Sequence, residues 1–170
     1  MSLVCRVSNA NIYLEGGSLL GQAEEIKLPD VTAKMTEQKA LGQIGAMEFP
    51  SGFEKMEGEI KWNSFYPEAM KAVGNPWKFV KLQARAHHET YTDEGRTDQK
   101  PLVTFLTVAF KKNALGTMKQ NDTAAPTSGF ACYAIRQTLG GEELLVFDVL
   151  ANTYSVGGQD LMAQYKTSIG

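Results

Sequence analysis

The segment from 133 to 170 constrains the fold most. Tyr133-Ala-Ile-Arg-Gln-Thr-Leu runs into Gly140-Gly141, and Glu142-Glu-Leu-Leu-Val-Phe-Asp follows. Two apolar-rich runs split by two glycines read as a β-hairpin, because adjacent glycines supply the positive φ angles of a type I′ turn. Asn152-Thr-Tyr-Ser-Val then reads as a short strand closing on Gly157-Gly158. Residues 159–165 read as a short terminal helix, with Leu161, Met162 and Tyr165 along one face and Leu161 and Tyr165 at i, i+4 spacing.

The rest of the chain is also mainly of period two. Residues 11–14 read as a strand turned back by Gly16-Gly17, and residues 23–28 and 31–38 as strands on either side of Pro29-Asp30. Proline has no N–H to give a ladder, so Pro29 belongs at an edge or a bend. Residues 40–53 hold three glycines, Pro50 and scattered Leu41, Ile44, Met47 and Phe49, which reads as a long loop. From 55 to 62 the alternation returns, with Met56, Gly58, Ile60 and Trp62 on one side and Glu57, Glu59 and Lys61 on the other. Residues 67–73 read as a helix of about two turns, with Ser64 as candidate N-cap, Pro67 in the first turn and Gly74 at the C-terminal cap. Residues 77–91 and 102–112 read as long strands separated by a polar turn over 92–100, and residues 114–128 as a loop. No internal repeat is visible. Many antiparallel strands with two short helices predict a mainly β fold: an antiparallel barrel or sandwich of two packed sheets, with one flanking helix and a short C-terminal helix. At 170 residues the chain is expected to be a single domain, 1–170.

The formal net charge of -2 argues against a protein that grips nucleic acid along its surface, since counterion release needs clustered Lys and Arg. Cys5 and Cys132 are too few for a disulfide framework and read as free thiols of a reducing cytosol. No apolar run reaches the ~18 residues of a membrane-spanning helix, so no membrane insertion is expected. The first residues lack the basic region and apolar core of a signal peptide.

Candidate chemistry is sparse. His87 and His88 are adjacent on a strand and point to opposite faces, so they do not share a metal easily. Cys132 sits among Ala131, Tyr133 and Ala134 with no basic residue before Arg136 and reads as a buried structural thiol. Glu57 and Glu59 lie about 7 Å apart on one strand face, a spacing a glycosidase pair could use, but a solvated Glu/Lys face is the preferred reading. No nucleophile elbow, phosphate-binding loop or dinucleotide fingerprint is present. The expected cofactor, metal and catalytic sets are empty. Long loops without secondary structure are commonly functional, and exposed Ile44, Met47 and Phe49 would form an apolar patch best explained by a partner.

The C-terminal hairpin, its Gly-Gly strand and the Gln159-Asp-Leu run resemble the C-terminus of major tail tube proteins of contractile-tailed phages and R-type bacteriocins. Asn9-Ala-Asn-Ile-Tyr-Leu-Glu-Gly-Gly, Ile26-Lys-Leu-Pro and Leu41-Gly-Gln-Ile-Gly-Ala-Met resemble the opening strand, the G-x(3–5)-φ-x-L-P run (φ apolar) and the glycine-containing loop of the same family. The two stretches cover roughly half the chain. The resemblance implies a structural virion protein, assembled in the host cytoplasm, whose hexameric rings stack into a hollow inner tube. Its implied partners are other copies of itself, the tail sheath, a tape-measure protein, a tail terminator and the baseplate, with DNA passing through the lumen without specific binding. It implies an N-terminal arm over 1–8 and an inter-ring loop over 40–53. Expected contacts between subunits or rings are Leu3, Val4, Leu41, Ile44, Met47, Phe49, Leu161 and Tyr165. Glu25, Asp30 and Glu37 are the lumen candidates, because acidic side chains would repel phosphate; Lys27 and Lys34 interrupt that acidic face. The tube of a type VI secretion system is one alternative. A monomeric ligand-binding β-barrel, with Trp62, Tyr66, Trp77 and Phe79 around the ligand, is another, and an enzyme is the weakest.

Overall fold

The structure, a computed structural model, describes residues 2–170. The elements in chain order are β1 (Val4–Leu14), β2 (Gly17–Ser18), β3 (Ala23–Lys27), β4 (Ala33–Gln38), β5 (Met47–Phe53), β6 (Met56–Trp62), α1 (Pro67–Val73), β7 (Val80–Thr92), β8 (Gly95–Asn113), β9 (Thr127–Leu139), β10 (Glu142–Asp148), β11 (Thr153–Val156), β12 (Gln159–Asp160) and α2 (Ala163–Ile169). Ten strands form one antiparallel sheet in the order β12-β11-β10-β9-β8-β7-β1-β2, with β6 joining β9 and β3 joining β6. β4 and β5 form a separate two-stranded hairpin. The sheet is mainly β and packs like a sandwich, and the path from β12 to β2 stays open, so the barrel alternative is corrected.

The branch at β9 creates the two layers. Residues 127–132 of β9 pair with β6, while residues 134–139 pair with β10. One strand thus changes neighbour midway and carries the sheet around the core. The alternation read along β6 holds: Met56, Ile60 and Trp62 are buried, and Glu57 and Glu59 are exposed. Ile60, Trp62, Val108 and Phe130 are fully shielded from solvent, each such side chain contributing roughly 1.5–3 kcal/mol of burial. Trp62 places its indole N–H on Ser128 Oγ at 3.0 Å, which satisfies the one polar atom of the largest core residue. Phe130 meets Phe110 edge to face at 5.8 Å. Gly58 lets this layer close: a Cβ there would stand 2.5 Å from the Lys27 carbonyl oxygen and 2.6 Å from the Phe130 ring.

α1 covers one end of the core with Ala69, Met70 and Val73. Pro67 opens it and Gly74 closes it, as expected, but the N-cap is Tyr66, which makes no side-chain cap, rather than Ser64. Gly140 and Gly141 both have positive φ (58° and 87°), the geometry expected of the β9–β10 turn.

Several boundaries move. β7 begins at Val80 rather than 77, leaving Trp77 exposed in the preceding turn. The polar stretch 92–100 is mostly strand, since β7 runs to Thr92 and β8 starts at Gly95, pairing Thr92 with Gly95 and His88 with Lys100. β1 begins at Val4 and pairs with β7 from Val4↔Tyr91 to Leu14↔Leu82. Most of the expected N-terminal arm is therefore strand; Met1 lies outside the described residues. The terminal helix starts at Ala163, because Gly157-Gly158 turns β11 back into β12 and pairs Val156 with Gln159. Met162 donates its backbone N–H to Asp160 Oδ1 at 2.9 Å, fixing the chain ahead of that helix.

Candidate assembly surfaces

The segment expected as a loop over 40–53 is half strand. β5 pairs with β4 from Gln38↔Met47 to Ala33↔Phe53, with an irregularity between Ala33 and Met35. Pro50 is tolerated because this strand has one neighbour only, the position where proline sacrifices no ladder bond. Every residue of β4 is exposed, as is every residue of β5 but Phe53. Met47 and Phe49 lie on β5, and Leu41 and Ile44 on the turn that joins the strands. Leu41 and Ile44 are exposed at 105% and 108%, so neither touches its own fold.

At the root of the hairpin lies an open groove of about 1060 Å³. Phe53, Phe147 and Tyr154 pack as one aromatic cluster on its floor, with ring centroids 4.5–5.6 Å apart. Leu161, Met162 and Tyr165 come in from the C-terminal segment, and Val149 from the turn after β10. Leu161 and Tyr165 are thus brought together, as expected, though only Tyr165 is helical. On the rim, Glu57 takes ion pairs from Lys55 at 3.1 Å and from Lys111. Hydrogen bonding from Lys111 and then Lys55 holds the Glu57 carboxyl below its usual range. A general acid needs the opposite shift, so Glu57 reads as an ion-paired carboxylate on an exposed strand face that it shares with Glu59.

The free sheet edges are the third surface. β1 has β7 on one side along its length, and on the other only β2, at Tyr13 and Leu14. Its outer edge from Val4 to Asn11 has no strand partner among the described residues, nor has the outer edge of β3. Leu3 and Val4 are exposed at the start of this edge strand, in a different sheet from the hairpin. The acidic candidates are all exposed but do not share a strand: Glu25 lies on β3, Asp30 between sheets and Glu37 on β4, where Lys39 meets it at 3.4 Å. Pro29 lies between β3 and β4, outside both strands, and it is buried.

The remaining candidates resolve into structural roles. His87 meets Glu89 at 3.4 Å and Arg96 meets Glu89 at 2.9 Å, a network around a buried carboxylate. Cys132 is buried, its thiol pushed up to about 11 mainly by desolvation, and it donates to the Ala134 carbonyl at 3.2 Å. Cys5 is exposed and free. Of the aromatic set offered for a ligand, Trp62 is inside the core, Trp77 is 89% exposed, and Phe79 stacks on Tyr133 at 4.6 Å, so these do not line one site. Among the described residues no helix is long and apolar enough to cross a membrane.

The profile of the family described as phage tail tube protein FII matches residues 5–170. The chain belongs to that family. The tail tube protein of Escherichia phage P2 is 23% identical to it over 176 residues, spanning 100% of this chain and 99% of the other. Two solved structures share the fold at low identity. A chain of the sheath/tube terminator of an extracellular contractile injection system (PVC), in its extended state, aligns with a TM-score of 0.58 at 8% identity, over 76% of this chain and 92% of that one. A chain of the sheath–tube complex of such a system aligns at 0.56 and 9%, over 76% and 87%. The resemblance to tail tube proteins read from both ends of the sequence is borne out: this is a structural protein of the phage tail tube family.

Proposed function

We propose that the chain forms hexameric rings that stack head to tail into the hollow inner tube of a contractile tail, which conducts DNA into the host cell. The observation that carries this is the family match over 5–170 in a chain whose long sheet leaves the edges of β1 and β3 open. A free edge is a liability in a monomer. Lateral pairing of one subunit's edge with the next satisfies both, and closure into a ring removes every free edge. The chain acts here as one tail-tube domain over 1–170. The segment 1–8 and the stretch 40–53 supply contacts through Leu3, Val4, Leu41, Ile44, Met47 and Phe49, and Leu161 and Tyr165 complete them. Glu25, Asp30 and Glu37 face the bore and keep phosphate from adhering. A head-to-tail junction between successive rings does not close by itself, so tube length is set from outside, by a tape-measure protein and a terminator, with a sheath around the tube and a baseplate at its end. Assembly takes place in the host cytoplasm, and no bond chemistry is involved.

Negative-stain electron microscopy of the purified protein over a concentration series, with mass measured in parallel, tests this. Rings or hollow tubes with a central channel are expected. A uniform monomer at every concentration overturns the reading.

A further inference from the structure

The hairpin tip and the groove at the hairpin root are unusual in opposite ways. Turn tips normally carry polar residues that suit water and tight backbone angles. Here residues 40–46 read Ala-Leu-Gly-Gln-Ile-Gly-Ala, without one charge, and present Leu41 and Ile44 entirely to solvent. The groove has an aromatic floor of Phe53, Phe147 and Tyr154, with Val149, Leu161 and Tyr165 exposed at 51%, 53% and 48% along its walls. Its charged side chains stand at the rim, where Glu57 is shared by Lys55 and Lys111 and Glu54 lies beside them. The two acidic and two basic side chains of that rim balance in formal charge, and the aromatic floor and aliphatic walls below favour an uncharged apolar insert.

We propose that this groove is the socket for the hairpin tip of a second copy of the chain, with Leu41 and Ile44 as the inserted side chains. A subunit's own tip does not fill its own groove. The root residues Ala33, Pro50, Gly52 and Phe53 line the groove, and from there β4 and β5 carry the tip away by roughly 20 Å at about 3.3 Å per residue. Knob and socket therefore sit at the two ends of one lever. A junction between them is heterologous: each copy gives its tip to one neighbour and its groove to another, and the chain of contacts does not close on itself. The inference rests on the tube reading and deepens it, by naming which surface of the next ring receives the hairpin. Two aliphatic side chains make a small contact, but a ring presents several in parallel, and linked weak contacts gain from multivalency.

A cysteine pair tests the proposal. In a Cys5→Ser background, Ile44→Cys and Leu161→Cys are combined in one chain, the assembled protein is mildly oxidised, and electron microscopy is run on the same sample. A reducible ladder of multiples is expected, absent from either single variant. Tubes without a ladder overturn the groove assignment and leave the tube reading standing. A ladder without tubes supports the docking and overturns the tube reading, and neither one overturns both. A cross-linked product that stays monomeric means the tip folds onto its own groove, and also overturns the proposal. An independent check uses Leu41→Asp with Ile44→Asp on the tip and Val149→Arg with Leu161→Arg on the groove wall, all at exposed positions that leave the core intact. Each pair alone raises the concentration needed for stacking by roughly tenfold or more, since burying a charge in an apolar site is costly. An equimolar mixture of the two forms single junctions that do not propagate, because the tip of one and the groove of the other remain whole. Unchanged stacking by both variants overturns the docking.

Discussion

Phe130 and Ile44 are large apolar side chains in one sheet-rich chain, and they stand at opposite limits, 0% and 108% exposed. The layer around β6 and β9 is specified by its own interior: one face is buried, the other wet, and Gly58 is held where any Cβ would strike the Lys27 carbonyl. The β4–β5 hairpin is wet on both faces. Leu41 and Ile44 make no contact that the monomer needs, and the proposed stacking gives them a role in the assembly. Stability measurements should report the first region and assembly measurements the second.

The largest effect is expected in the core. Phe130→Ala removes a ring with no exposure that packs against Phe110 and Gly58, and should cost about 3–5 kcal/mol. Urea unfolding monitored by circular dichroism would show it as a lower midpoint with little change in slope. A loss below about 1 kcal/mol would mean that this layer does not carry the fold. Ser128→Ala comes next. It deprives the buried Trp62 indole N–H of its acceptor at 3.0 Å, at a cost of about 1–3 kcal/mol. Trp62→Phe in the same background should recover part of that, because the orphaned donor disappears, and the double variant measured against both singles isolates the term.

The same contrast explains what was legible in the sequence. Period two is readable only where one face is buried and the other is not. Met56, Ile60 and Trp62 announced β6, and Gly140-Gly141 announced the β9–β10 turn. β4 falls within the strand read over 31–38, but β5 is exposed on both faces except at Phe53, so its strand character is hidden and Pro50 makes it read as a loop. Residues 95–100 of β8 are exposed on both faces as well and read as a turn. The start of α2 was misplaced because Leu161 and Tyr165 mimic helical spacing, while Gly157-Gly158 in fact folds β12 back on β11. The scattered apolar residues of 40–53 bring Leu41 and Ile44 among the expected contacts, and the i, i+4 spacing with the family resemblance brings Leu161 and Tyr165. The groove escaped because Phe53 is far in sequence from Phe147 and Tyr154. The last two are directly paired across β10 and β11, and the short Asp148-to-Thr153 connection was the signal that could have joined them.

A smaller effect should appear in acid. Lys111 and Lys55 hold the Glu57 carboxyl below the usual carboxylate range, and Arg96 does the same for Glu89. A carboxylate whose folded value is depressed stabilises the fold above the unfolded value, and that contribution is lost as pH falls through the folded one. Stability should thus be level at neutral pH and decline once the pH drops below about 4.5. Glu89→Gln should lower stability at pH 7 and flatten the acid decline. A parallel decline in wild type and variant would show that the Arg96 pair contributes nothing to it.

The smallest effect on stability belongs to the hairpin tip, where the comparison is sharpest. Leu41→Ser with Ile44→Ser removes two side chains that touch nothing in the subunit, so the urea midpoint should move by no more than about 0.5 kcal/mol equivalent. Tube formation should be lost all the same, because in the proposed stacking these side chains have their partner in another copy. The two readouts must separate for the argument to hold. If the double serine variant unfolds early, the tip packs within its own subunit and the hairpin belongs to the same category as β6. If it keeps both its stability and its tubes, the apolar tip has no role in stacking, and the rings must be held by the sheet edges and the C-terminal segment alone.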